Sequence, residues 1–450
     1  MMMRRTFLQG AMTLGFSVAL AASAQAKDSV KIGLILPMTG PFASTGKQIA
    51  AAANLYLQEK GATVAGKKIE LVLRDDTGNA DATRRIAQEL VVNDKVTALA
   101  GFGLTPLALA TAPLATQAKT PMVVMAAATS IITERSPFVV RTSQVVPQIA
   151  GPFGTWAAQQ GMKRVITIVS DYGPGHDVET SFSEAFKAAG GQAENIRVPL
   201  QNPDFSPFLQ RVADAKPEAL LVFVPSGVGA QFMKQFVERG LDKSGIRLIG
   251  TGDVTDDDIL NGMGDVALGV VTAHHYSASH DSPENKAFVE AFKKANNGLR
   301  PNFMAVGGYD GMHALLEGLK KTNGAGGEAL VEGAEAGLVA LQHEGLEEPG
   351  DMCQVPLDRA RVGHGLHLAV LGRQRRGQRL AVRPHAAIGL EQGRRHWPGF
   401  LRLRRVARAE LTPRRRAAAW CRAARARRTR SSGPRNAGRR WPRSTSAGRR

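Results

Sequence analysis

The sequence predicts an α/β protein of two open, doubly wound parallel-sheet lobes joined by a hinge. Three observations carry that expectation. Short β-branched runs alternate with helical stretches of about a dozen residues, the pattern of parallel sheets covered on both faces. The series restarts after Arg141 as a second block of similar length. The chain, at 450 residues, is long enough for two or three domains with sizeable cores.

In the first block, residues 30–36 (VKIGLIL) read as a strand followed by the turn Pro37-Met38-Thr39-Gly40-Pro41. Ala-rich spacing predicts a helix over 44–58, and alternation predicts a strand over 68–74. A helix follows over 80–92 with Asp81 as its N-cap, then a strand over 96–101, a helix over 105–117 and a strand over 121–125. The second block reads as helix 148–160, strand 164–170, helix 175–189 ended by Gly190-Gly191, strand 195–200, helix 205–215, strand 219–224, helix 228–239 and strand 247–250. Residues 266–274 look like a crossover strand, and 283–296 and 303–321 like amphipathic helices. The expected organisation is an export signal over 1–26, a first lobe over 27–147, a second over 148–270, a return to the first over 271–327, and an Arg-rich segment over 328–450.

The signal is read from Arg4 and Arg5, a small and apolar stretch from Phe7 to Ala22, and the small-x-small site Ala24-Gln25-Ala26. An ordinary secretory signal and a twin-arginine signal both fit Arg4-Arg5-Thr6-Phe7-Leu8. Gly10, Gly15 and the shortness of the segment argue against a retained anchor. The expected location is the periplasm.

A net charge of +19 suggests a nucleic-acid binder, but its distribution does not. Residues 331–450 carry 27 Arg against 9 Asp or Glu, so the preceding body is nearly neutral. Cys353 and Cys421 also lie in that last quarter, which leaves the body without a disulfide, a thiol nucleophile or a thiolate metal ligand. No Lys occurs after Lys321. A disordered basic arm and a slip of reading frame near Glu328–Glu335 both produce such a composition. The abruptness of the change favours the slip, and the expectation for 328–450 is irregular or disordered chain.

In open α/β sheets ligands bind beyond the carboxyl ends of the strands. That places the turns at 37–46, 101–105, 126–130, 171–176, 225–229 and 252–258 at the expected site. Gly40 to Lys47 resembles a phosphate-binding loop, but it has five residues between its glycines and Gln48 where a metal-binding hydroxyl is needed. It reads instead as a strand-to-helix turn with free N–H groups. Gly101-Phe102-Gly103-Leu104-Thr105 and Ala126-Ala127-Ala128-Thr129-Ser130 each set a hydroxyl beside free N–H groups, which is equipment for a carboxylate. The alternative is that Thr105 and Ser130 only cap helices. Tyr172, in Asp171-Tyr172-Gly173-Pro174-Gly175-His176, offers a ring from the second lobe, to cover a ligand or to pack the turn. Asp256-Asp257-Asp258 reads as a helix cap, and Asp253 as a partner for a ligand ammonium. Neighbouring strand residues point to opposite faces, so His274-His275 is not expected to chelate a metal. No acid/base pair, Ser-His-Asp spacing or metal cluster stands out, so no enzyme, cofactor or metal is expected.

Several of these segments together resemble the periplasmic leucine/isoleucine/valine-binding proteins of ATP-driven importers. They are Ile32-Gly33-Leu34 through Pro41, Gly46, Leu73-Arg74-Asp75-Asp76, Pro121 with Ala127-Ala128-Thr129, Asp171-Tyr172-Gly173, Asp204-Phe205-Ser206 and Tyr309-Asp310. The match keeps its order from about Ser29 to Gly324 and ends short of the family's usual C-terminus. It implies a type I periplasmic binding fold, a two-lobe clamp with three crossovers, acting as a monomer with membrane permease subunits as partners. By position, the ligand carboxylate falls to Thr105, the backbone of Ala127 and Thr129, the covering ring to Tyr172 and the ammonium to Asp253. A further aromatic is common where Pro225-Ser226 stands here, and the family's usual cysteine pair is missing. The implied function is capture of a branched-chain or related amino acid for a permease, with an amide, urea or aromatic acid as the alternative. Nucleic-acid binding through the tail is the competing class, and export argues against it.

Overall fold

A computed structural model describes residues 29–344, 366–373 and 380–388. The expected signal, both cysteines and most of the Arg-rich segment lie outside the described residues.

The first sheet is built from β1 (Ser29–Leu36), β2 (Thr63–Val64), β3 (Lys67–Asp75), β4 (Ala98–Gly101), β5 (Met122–Val124) and β6 (Val139–Arg141), in the order β2-β3-β1-β4-β5-β6. All its neighbours are parallel except the β2–β3 hairpin, with Leu34 opposite Leu73 on one side and Ala100 on the other. β1 forms where it does because Ile32, Leu34, Ile35 and Leu36 are all buried, as a strand covered on both faces requires. Helices α1 (Ala43–Lys60), α2 (Ala80–Val92) and α3 (Thr105–Ala118) connect these strands. The N-cap of α2 is Asn79, whose side chain accepts the Ala82 N–H at 2.9 Å. The sequence reading gave that role to Asp81, which instead sits in the first turn opposite Arg84 at 3.8 Å.

The second lobe contains α4 (Pro147–Gln159), β7 (Arg164–Ser170), α5 (Gly173–Ala188), β8 (Gln192–Val198), α6 (Ser206–Ala215), β9 (Ala219–Phe223), α7 (Gly229–Glu238) and β10 (Arg247–Thr251). The short helix α8 (Leu260–Met263) and β11 (Val271–His274) complete that run. β12 (Leu366–Arg373) and β13 (Leu380–Ile388) extend the sheet to the order β13-β12-β11-β10-β9-β7-β8. β11 is parallel to β10 and belongs to this lobe, so the chain returns to the first lobe after His274 and not at 271. There α9 (Pro283–Ala295) and α10 (Phe303–Lys321) pack on α1 through Ala52, Leu55, Phe292 and Ala305.

The regular fold runs past the point where composition placed the break. Helix α11 (Glu328–Glu344) crosses the interval 328–335 and buries Leu330, Val331, Ala334 and Leu338 in the first lobe's core. Its backbone approaches α10 so closely that a Cβ at Gly333 would lie 2.8 Å from the Gly318 Cα. β12 then pairs antiparallel to β11, covering a strand edge that would otherwise be open. The chain therefore passes between the lobes three times: after β6, after β11, and between α11 and β12.

Within each lobe the five principal strands run second, first, third, fourth, fifth. This doubly wound order has one switch point, between β1 and β4 in one sheet and between β7 and β9 in the other. Both switch points open onto the same space between the lobes. Among the described residues no helix is long and apolar enough to cross a membrane.

Candidate functional site

A cleft lies between the switch points. The first lobe lines it with Gly103, Leu104, Thr105 and Ala126 to Ala128, and the second with Tyr172, Pro174, Phe223, Pro225, Ser226 and Asp253. Gln144 and Val146, on the crossing after β6, form its floor together with Met304 at the start of α10.

Thr105 opens α3, and its hydroxyl shares a hydrogen bond of 2.8 Å with the Thr129 hydroxyl. It therefore does not serve merely as a cap. Thr129 is not on the cleft wall. It sits under Gly173 of the second lobe, where an added Cβ would lie 2.5 Å from the Thr129 hydroxyl. Ala127 lines the cleft, but its N–H donates to the Phe102 carbonyl at 3.0 Å and its carbonyl accepts the Ser143 hydroxyl at 3.2 Å. Its backbone is thus engaged, contrary to the role the resemblance implied. Among the described residues, the N–H groups of Thr105, Ala128 and Thr129 donate to no protein acceptor.

Sequence reasoning missed the group that holds this turn. Arg141, at the end of β6, is 2% exposed and donates to the Thr129 carbonyl at 2.5 Å. Burial lowers its pKa to about 10, opposed by the Asp177 carboxylate of the second lobe. Asp177 also accepts the Ser130 N–H at 2.8 Å and its hydroxyl at 3.3 Å. A buried cation in a three-residue strand has no periodic signature. The Val-Val before it was the available hint.

On the other side the Tyr172 ring stacks on Phe223, with centroids 6.1 Å apart and planes at 14°. Burial, and then the nearby Asp253, push the Tyr172 hydroxyl pKa well up. Asp253 is 6% exposed and accepts the Thr251 hydroxyl at 2.9 Å. It is the only charged side chain on the cleft wall among the described residues. Four of the five anticipated residues thus surround one cleft, and the fifth bonds to one of them.

The acidic run does not cap a helix. Ile259 is the residue before α8, with no side-chain cap. Asp258 instead accepts the Ser44 hydroxyl of α1, and Arg300 donates to the Asp257 carbonyl oxygen, so the run ties the second lobe to the first. Burial raises Asp257 to about 6, with Arg300 opposing the shift. The Gly40–Lys47 turn is likewise a lobe contact, since Gly227 of the second lobe lies against the Pro41 carbonyl. Just before it, the Met38 N–H and the Thr39 hydroxyl donate to Asp75 within the first lobe. His274 and His275 do come together, with ring centroids 4.6 Å apart, because β11 ends at His274 and the next residue leaves strand geometry. No group of three His, Cys, Asp or Glu among the described residues is placed to hold a metal.

Residues 29–352 match the family model described as Periplasmic binding protein. Over 310 residues the chain is 46% identical to "Leu/Ile/Val-binding protein homolog 6" of Brucella melitensis, covering 68% of this chain and 80% of that one. A solute-binding protein of an ABC transporter from Rhodopseudomonas palustris BisB5, solved in complex with 3,4-dihydroxy benzoic acid, is 53% identical. It superposes with a TM-score of 0.71 over 80% of this chain and 96% of that chain. An R. palustris solute-binding protein solved with 4-hydroxybenzoate gives the same score and coverage at 34% identity. The match reaches residue 352, beyond the end near Gly324 read from the sequence. A two-lobed cleft at paired switch points, with this degree of likeness along most of the chain, has one reading: the chain belongs to the periplasmic binding protein family, among relatives named as Leu/Ile/Val-binding and ABC-transporter solute-binding proteins.

Proposed function

We propose that this chain captures a small aromatic carboxylate between its lobes, outside the cytoplasm, and presents it to the permease of an ABC importer. One observation carries the choice of ligand. The flat wall of Tyr172 on Phe223 faces the turns that carry Thr105 and Ala128. A ring lying on that wall directs its carboxylate to the Thr105 hydroxyl and to the free N–H groups of Thr105 and Ala128, at the positive end of α3. Two relatives solved with hydroxylated benzoic acids support the reading. In it the chain carries out no chemistry. Closure of the lobes buries the solute, and the closed form binds it better.

A branched-chain amino acid is the second reading. Asp253 suits an ammonium, and the Brucella relative is named for leucine, isoleucine and valine. A thermal melt with a panel of solutes separates the two. A solute at about a hundred times its Kd adds about 2.7 kcal/mol and raises Tm by several degrees. The expected result is a rise with benzoate and its hydroxylated forms and none with leucine or valine. A rise with leucine alone would reject the aromatic reading.

A further inference from the structure

The cleft's one carboxylate has a buried partner that faces away from the solute. His274, the last residue of β11, is 4% exposed, and its Nε2 lies 3.5 Å from Asp253 Oδ2. That oxygen also accepts the Thr251 hydroxyl. The imidazole cannot swing away. Its centroid is 3.9 Å from the Phe303 ring, and a Cβ on Gly252 would come within 2.7 Å of its Cδ2. Among the described residues neither ring nitrogen has a hydrogen bond of good geometry. The pairing of β10 with β11 brings this ring under the turn that carries Asp253.

We infer that His274 is the positioning residue that sets what Asp253 accepts: a single O–H on the ring of an aromatic acid, in place of an ammonium. The inference rests on the function proposed above and names its substrate class more closely. The Thr251 hydroxyl bonds Oδ2 and the His274 imidazole lies against that oxygen at 3.5 Å, while Oδ1 carries no hydrogen bond from the described residues. One oxygen matches one phenolic donor. An ammonium brings three donors, and leaving some unmade in a buried site costs about 1–3 kcal/mol each.

The test is calorimetric titration of the purified chain with benzoate, 4-hydroxybenzoate, 4-methoxybenzoate and leucine. The unmodified chain should bind 4-hydroxybenzoate about tenfold or more tighter than benzoate, a hydrogen bond to a charged group. The methoxy compound, which has the oxygen but no donor, should bind no better than benzoate. In His274→Leu the preference should collapse while benzoate affinity holds, and His274→Gln, which keeps a donor, should retain part of it. A purely structural role would weaken both ligands together. Methoxy binding as tight as hydroxy, or an undiminished preference in a cooperatively melting His274→Leu, would overturn the inference and leave the aromatic reading standing. Binding of leucine with no benzoate bound would overturn both.

Discussion

Gly173→Val abolishes tight solute binding while both lobes stay folded. Gly173 is the first residue of α5, where the second lobe meets the first. A Cβ there would lie 2.5 Å from the Thr129 hydroxyl, 3.0 Å from its methyl and 3.3 Å from the Thr105 methyl. Thr129 has little freedom to retreat, because its hydroxyl bonds Thr105 and its carbonyl accepts Arg141. Valine adds two further methyl groups, so the lobes can no longer approach to their present distance. Neither lobe's own core contains Gly173, and helix initiation tolerates the change. Affinity should fall by about a hundredfold or more, roughly 2.7 kcal/mol, because the closed state becomes inaccessible. Titration reads the affinity, and a denaturant melt without solute should be nearly unchanged. Wild-type affinity in the variant would mean that the lobes do not close through this contact.

Arg141→Met should destabilise the chain by about 2–3 kcal/mol, the cost of leaving a buried acceptor without its charged donor. The guanidinium is buried, bonds the Thr129 carbonyl and faces Asp177. Methionine fills much of the volume but leaves that carbonyl without its donor and Asp177 without its counter-charge. Because Arg141 fixes the 126–130 turn, affinity should fall with stability. The control is Arg74→Met. Arg74 is 43% exposed and pairs with Asp94 at 3.1 Å, so its removal should cost at most about 1 kcal/mol. A denaturation midpoint for Arg141→Met equal to that of the control would show that the buried charge is not holding the turn.

Where hydrophobic period decided an element, the chain was legible. The strand at 164–170 and the helix at 303–321 were expected on the residues where they occur. β6 was not, because three residues are too few for a period and its pairing with β5 comes from tertiary structure. The acidic run read locally as a cap, and nothing local says that Ser44, 214 positions away, will accept its company. At the site, the turns that carry hydroxyls were visible as small-residue runs. Which N–H in a run stays free depends on Phe102 reaching Ala127, and that shifts the available donors to Ala128 and Thr129. His274 was set aside on a strand-geometry argument that fails at the end of β11, where His275 leaves the strand, and its relation to Asp253 exists only once β10 and β11 pair. α11 carries no Arg and lies ahead of the Arg-rich stretch, but the change of composition placed after 328 set it aside although its four buried residues keep helical spacing.

In the proposed binding mode, solute lies between the lobes with its carboxylate at Thr105 and its far end at Asp253. Titration of 4-hydroxybenzoate into the unmodified chain and into a Thr105→Ala, Asp253→Ala double variant tests it most directly. Each lost bond involves a charged partner, so each should cost about 1.5–3 kcal/mol, and the pair a few hundredfold or more in affinity. The expected result is that loss with a cooperative melt preserved. Unchanged affinity in the double variant would place the solute outside this cleft.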